Sequence, residues 1–117
     1  LWVASEHIFK SKSIVLVEGQ GDVWKLHMAG IKNAVGMFGS SLSEAQLRLI
    51  QTTTARNVII LTDNDEAGKK AKREITEKCS NLFNVYAPNF SGSDIGDMSV
   101  SKIVEEIKPQ IEAMTNG

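Results

Sequence analysis

Six carboxylates of this 117-residue chain stand beside loop glycines or in loop-forming stretches: Glu18, Asp22, Asp63, Asp65, Asp94 and Asp97. Glu18 closes the apolar run Ile14-Val15-Leu16-Val17 and is followed at once by Gly19. Asp63 follows a second such run, Val58-Ile59-Ile60-Leu61, through Thr62. Asp65 comes two residues later, so in extended chain the two carboxylates project to the same side. Asp94 and Asp97 lie in Ser91-Gly92-Ser93-Asp94-Ile95-Gly96-Asp97. Acids gathered from separate loops repel one another, which raises some of their pKa values or calls for a cation. Oxygen donors suit a hard divalent ion, and Mg²⁺ is the usual one where substrate phosphates share the coordination. Three of the six have a second reading. Asp22 and Asp65 each precede helix-forming sequence and would serve as caps, and Asp97 or Ser99 would cap the last helix. Glu18 is too early to cap the helix after Asp22, and Asp63 is placed in a similar way.

The elements that must position these acids follow from periodicity. The two apolar runs are continuous rather than alternating, which predicts strands buried on both faces of a parallel sheet. Weaker strands are predicted at Ala34 to Phe38 and Leu82 to Ala87, the latter an edge strand with Phe83, Val85 and Ala87 on one face. Helices fill the gaps. Asp22 to Met28 is a short one stopped by Gly30. Ser43 with Gln46 forms a capping box for a helix through about Gln51. Glu66 to Lys78 places Ala67, Ala71 and Ile75 toward the sheet, with Lys69, Lys72 and Arg73 on its other side. Ile103, Ile107, Ile111 and Met114 form the stripe of a last helix, which Pro109 should kink or break near Lys108. Residues 1 to 10 hold at most a short helical turn. The alternation of strand and helix with short connections implies right-handed crossovers and an open α/β sandwich. In such sheets ligands bind beyond the carboxyl ends of the strands, where Glu18 and Asp63 stand.

Composition narrows the function classes. The length fits one domain with a real core, and 42% apolar with 23% charged residues excludes a disordered tail. No apolar run approaches the ~18 residues of a membrane span, and no membrane partner is expected. The amino terminus carries no signal-peptide pattern. A single cysteine, Cys79, excludes an internal disulfide and fits a reducing compartment; with only His7 and His27 beside it, a Cys/His zinc site is excluded. The net charge is −1, yet setting the six loop acids aside leaves eight acids against thirteen bases, an acidic pocket on a basic body. Gly19-Gln20-Gly21-Asp22-Val23-Trp24 begins like a dinucleotide fingerprint, but Trp24 stands where the third glycine belongs. There is no P-loop. Trp2, Trp24 and Phe38 are read as core residues, and Phe90, in the acidic loop, as the best candidate for stacking on a base.

Four segments taken together resemble the Toprim domain, with the nearest likeness to DnaG-type and phage primases. They are Val17-Glu18-Gly19-Gln20-Gly21-Asp22-Val23, Leu26-His27-Met28-Ala29-Gly30-Ile31, Gly36-Met37-Phe38-Gly39-Ser40-Ser41-Leu42-Ser43 and Leu61-Thr62-Asp63-Asn64-Asp65-Glu66-Ala67-Gly68-Lys69-Lys70-Ala71. The resemblance covers residues 12 to about 100. It implies a Rossmann-like α/β fold of about four parallel strands with helices on both faces, residues 12–117 forming the domain and 1–11 a lead-in from an upstream domain. By motif, Glu18 matches the family's glutamate, a general base in polymerisation. Asp63 and Asp65 match its Asp-x-Asp pair, which holds Mg²⁺, with Mn²⁺ able to substitute. Asp22 matches a further primase acid, and Asp94 and Asp97 stand where primases carry another acidic pair, at different spacing. Asn64 replaces a common glycine and should point its side chain away. The implied reaction is nucleotidyl transfer, making RNA primers from nucleoside triphosphates on single-stranded DNA. A replicative helicase would be a partner through the parent protein, in the cytoplasm of a bacterium or a phage-infected host. Lys69, Lys72, Arg73 and Phe90 are candidates for nucleic-acid contact, with a solvated helix face as the plainer account of the three bases. The zinc domain and basic subdomain of family primases are not in these residues, and the chain does not begin with Met. It is therefore read as an excised core, weak or inactive alone.

Four rivals stand beside this reading. A Toprim nuclease would share every acid named. A topoisomerase fragment would need a nucleophilic tyrosine elsewhere, since Tyr86 falls in a predicted strand, and a non-enzymatic Toprim scaffold would not need metal. A signalling receiver domain, with Asp63 as phosphoacceptor, would need an acidic pair after its first strand and a fifth strand.

Overall fold

The computed structural model describes residues 7–8, 11–37 and 42–115. In chain order the elements are β1 (Ser13–Val17), α1 (Gln20–Met28), β2 (Ala34–Gly36), α2 (Glu44–Gln51), β3 (Asn57–Ile60), α3 (Glu66–Cys79), β4 (Asn84–Tyr86), a 3₁₀ turn (Ile95–Asp97), α4 (Val100–Glu106) and α5 (Lys108–Thr115). The strands form one sheet in the order β2-β1-β3-β4. Every pairing is parallel, with Val17 opposite Gly36, Leu16 opposite Ile60 and Ile59 opposite Tyr86. The two most apolar runs are therefore the two inner strands, as their continuous hydrophobicity requires.

Each inner strand feeds two cores. Val15, Val17, Ile59 and Leu61 face one side, where Val23 and Leu26 of α1 and Ile103 and Ile107 at α4 join them. Ile14, Leu16, Val58 and Ile60 face the other, against Ile50 of α2 and Ile75 and Cys79 of α3. A one-residue slip would exchange these two sets and leave both helix layers facing the wrong residues, so the register is tightly specified. Burial also raises the pKa of the Cys79 thiol, which sits in the second core. Among the described residues no helix is long and apolar enough to cross a membrane.

Several boundaries differ from expectation for local reasons. α1 begins at Gln20 rather than Asp22, because Asp22 lies inside its first turn and accepts a hydrogen bond from the Gly19 amide at 3.2 Å. The buried stripe of α3 runs through Gly68, Ala71, Ile75 and Cys79, while Ala67 is exposed. The strand expected at Leu82 to Ala87 shortens to three residues, with Leu82 half-exposed in the preceding turn. Trp24 is not a core residue. It is 65% exposed, as is Met28 one turn later on the same outer side of α1. Trp2 and Phe38 lie outside the described residues. The final helix does break where Pro109 demands: α4 ends at Glu106, Ile107 intervenes, and Pro109 falls in the first turn of α5. Gly30 ends α1 at φ +88, a left-handed conformation that a side chain would strain.

Candidate active site

Glu18 directly follows β1 and Asp63 lies three residues beyond β3. Because these strands are adjacent and parallel, both acids reach the same rim of the sheet. Their carboxyl groups lie within range to act on each other. Burial, first, and then the Glu18 hydrogen bond and charge push the Asp63 carboxyl up to about 7; the charges of Asp94 and Asp65 add to this. Asp22 is raised as well, mainly by burial and then by Asp63 and Asp94, although the amides of Gly19 and Gly96 act against the rise.

The backbone around Asp63 is tightly set. The Thr62 hydroxyl donates to the Gly68 carbonyl at 2.8 Å, and the Gly68 amide donates to Asp65 Oδ1 at 2.7 Å. Gly68 presses on the Asp63 backbone so closely that a Cβ there would lie 2.0 Å from the Asp63 carbonyl oxygen. Glycine is required because α3 must start directly beneath the Asp-x-Asp turn. Asp65 thus caps α3 and also contributes its charge to the site.

The acidic loop arrives from the far side of the sheet. Asp94 Oδ1 accepts from the Asp97 amide at 2.8 Å and opens the 3₁₀ turn. Asp97 turns its own carboxylate onto the Ser93 hydroxyl, and Ser99 caps α4 by accepting from the Lys102 amide. The structure therefore brings Glu18, Asp22, Asp63, Asp65 and Asp94 into one electrostatic group and turns Asp97 back into its own loop. Phe90 is half-buried against the first core, so its ring is occupied by packing. On α3, Lys69 and Arg73 are exposed and Lys72 is half-buried.

Asn64 departs from expectation. Its side-chain amide donates to the carbonyls of Phe90, at 3.0 Å, and Gly92, at 2.7 Å, and its backbone amide donates to Ser93 at 2.7 Å. Sequence reasoning also passed over Glu106 and Gln110, which hold the loop from behind. Glu106 accepts from the Ser91 amide and hydroxyl at 3.0 and 2.8 Å. Gln110 accepts from the Asn89 amide and donates to its carbonyl, at 3.1 and 2.6 Å. Their one sequence signal is i, i+4 spacing beside the Ile103/Ile107 stripe.

The donor set is made of carboxylate oxygens, which suits a hard divalent cation. Among the described residues no three acidic, imidazole or thiol groups stand close enough to hold one ion between them.

A DNA primase of Campylobacter jejuni is 46% identical over 69 residues, 59% of this chain and 11% of that protein. The zinc-binding and RNA polymerase domains of the Aquifex aeolicus primase superpose with a TM-score of 0.73 at 30% identity, covering 99% of this chain and 28% of that one. The RNA polymerase domain of Mycobacterium tuberculosis primase DnaG, solved with a double-stranded DNA oligomer bearing a 6-nucleotide overhang, gives 0.64 at 27% identity, covering 81% of this chain and 32% of that one. This chain thus spans only a small part of the primases it matches. The Toprim domain profile matches residues 12–87, and the chain belongs to the Toprim domain family.

Proposed function

We propose that this chain is the cation-dependent catalytic core of a DNA primase, which joins ribonucleoside triphosphates on a single-stranded DNA template. The observation that carries the proposal is the Glu18–Asp63 pair, two carboxylates brought to one rim by adjacent parallel inner strands, with the Asp63 carboxyl raised by burial and by Glu18. Such a pair is costly unless a cation replaces the proton. Asp63 and Asp65 would hold Mg²⁺, for which Mn²⁺ can substitute, with Asp22 and Asp94 completing the anionic rim. The ion would supply charge neutralisation of the triphosphate and a lowered pKa for the attacking hydroxyl. Glu18 would accept the proton of a ribose 3′-hydroxyl. The new O–P bond then forms as the bond to pyrophosphate breaks. Lys69, Lys72 and Arg73 present positive charge to the template backbone. Residues 1–11 are the lead-in from an upstream domain, and a replicative helicase is reached through the parent protein, in the cytoplasm of a bacterial or phage-infected cell. The receiver alternative falls with the family assignment.

The test is primer synthesis by the parent primase, on single-stranded DNA with Mg²⁺. Glu18→Gln should lower the rate by about a hundredfold or more while leaving the fold intact by circular dichroism. If synthesis persists at the wild-type rate, the proposal fails. If the purified 117-residue chain instead cleaves DNA with Mg²⁺, and Glu18→Gln abolishes cleavage, the protein is a Toprim nuclease.

A further inference from the structure

We propose that Asn64 is a positioning residue, a latch that ties the acidic loop to the Asp63–Asp65 turn and so sets how far Asp94 stands from Asp63. This rests on the cation-binding reading of the same rim. One exposed side chain spends both of its amide protons on carbonyls, Phe90 at 3.0 Å and Gly92 at 2.7 Å, while its backbone amide takes a third, Ser93, at 2.7 Å. All three acceptors lie just before Asp94. A glycine at position 64 would keep the backbone bond and lose the other two.

The latch is opposed from behind. Glu106 holds the Ser91 amide and hydroxyl, and Gln110 brackets the Asn89 backbone. The loop is thus suspended between the strand-end turn on one side and the α4–α5 pair on the other. Its apolar anchors are Phe90, Ile95 and Met98, which join the core on either side of Asp94. Gly92 leaves no slack, because a Cβ there would stand 2.8 Å from Met98 and 3.1 Å from the Asp94 carbonyl oxygen. The charge of Asp94 acts on both Asp22 and Asp63, so any slackening of the latch changes how much negative charge reaches an ion held at Asp63. Partners one step behind the ligands typically alter metal affinity by about 10–100-fold.

Titration of the 117-residue chain with Mn²⁺ alone, followed by electron paramagnetic resonance of the free ion, separates the possibilities. Asn64→Ala should weaken binding about tenfold, and its melting temperature in EDTA should stay within about 2 °C of wild type. Glu106→Ala should weaken binding in the same direction. The double variant should fall short of the product of the two, since both act on one loop. Amide exchange supplies a second measure: in Asn64→Ala it should quicken at residues 89–97 and stay unchanged in the sheet. If Asn64→Ala binds Mn²⁺ as wild type does while Asp63→Asn loses binding, the latch is overturned and the cation site stands. If the wild-type chain binds no Mn²⁺, or Asp63→Asn binds as wild type, the cation reading fails and the latch with it. If Asn64→Ala quickens exchange throughout the sheet, its role is general stability and the proposal is overturned.

Discussion

The Glu18–Asp63 pair and the Asp94–Asp97 loop carry the same chemical groups but are held by opposite means. Glu18 and Asp63 leave the two inner strands, whose side chains are almost wholly buried in both cores. Neither caps a helix among the described residues, and burial together with Glu18 raises the Asp63 carboxyl. Asp94 and Asp97 are fixed by hydrogen bonds of their own loop, with Asn64, Glu106 and Gln110 gripping the chain just upstream. A carboxylate that performs a local structural task is satisfied where it stands. A carboxylate pair held rigidly against its own repulsion is not, and there the chemistry is expected. The loop is held by exposed hydrogen bonds and by Ile95 and Met98 in the core, whereas the strand ends can move only if the sheet does.

The sharpest way to break this contrast is to disturb the rigid side. Gly68→Ala should be destabilising by about 3 kcal/mol or more, since its Cβ would meet the Asp63 backbone at 2.0 Å. A melt should show a loss of more than about 10 °C. A shift of under about 2 °C would mean the Asp-x-Asp turn is pliant and the distinction is false.

A smaller effect separates the acids by task. In Mn²⁺ titrations Asp94→Asn should weaken binding about tenfold, since its charge reaches Asp63. Asp97→Asn should weaken it less than about threefold, because its carboxylate is occupied by Ser93. Equal losses would place both acids in the same role and erase the difference between the two ends of the loop.

The smallest effect is on pH. The folded chain keeps the Asp63 proton up to about 7, whereas an unfolded aspartate releases it near 3.8. Between these values the folded state binds more protons, so in EDTA stability should fall as pH rises through that window and level off above it. Asp22 works in the same direction. With solvent screening the Asp63 contribution is about 1 kcal/mol, or roughly 5 °C in a melt. Asp63→Asn should flatten the profile and raise the melting temperature at pH 8, and Mg²⁺ should do the same for the wild-type chain. A wild-type profile already flat from pH 4 to 8 would show that the pair is not strained.

Much of this was legible in the residues. The continuous apolar runs at 14–17 and 58–61 announced strands covered on both faces. The Ser43/Gln46 capping box appears as read, with the Gln46 amide donating to Ser43 Oγ at 3.1 Å and the Ser43 amide donating back to Gln46 Oε1 at 2.9 Å. Glu18 and Asp63 were placed at the rim by their position after those runs. Trp24 was misread, because an aromatic residue carries no sign of which helical face it will occupy until α1 docks. Asn64 was misread for a related reason: its partners, Phe90 and Gly92, are 26 and 28 residues away.

The sequence by itself determined the element types, the inner strands and the acids that end them, because hydrophobic period and strand-end position are local properties of the chain. Only the tertiary structure decided which of those acids meet, which ones merely cap a turn, and which polar side chains hold the acidic loop in place. Those outcomes depend on hydrogen bonds and charge separations of a few ångströms between segments distant in sequence, and no local pattern encodes such distances.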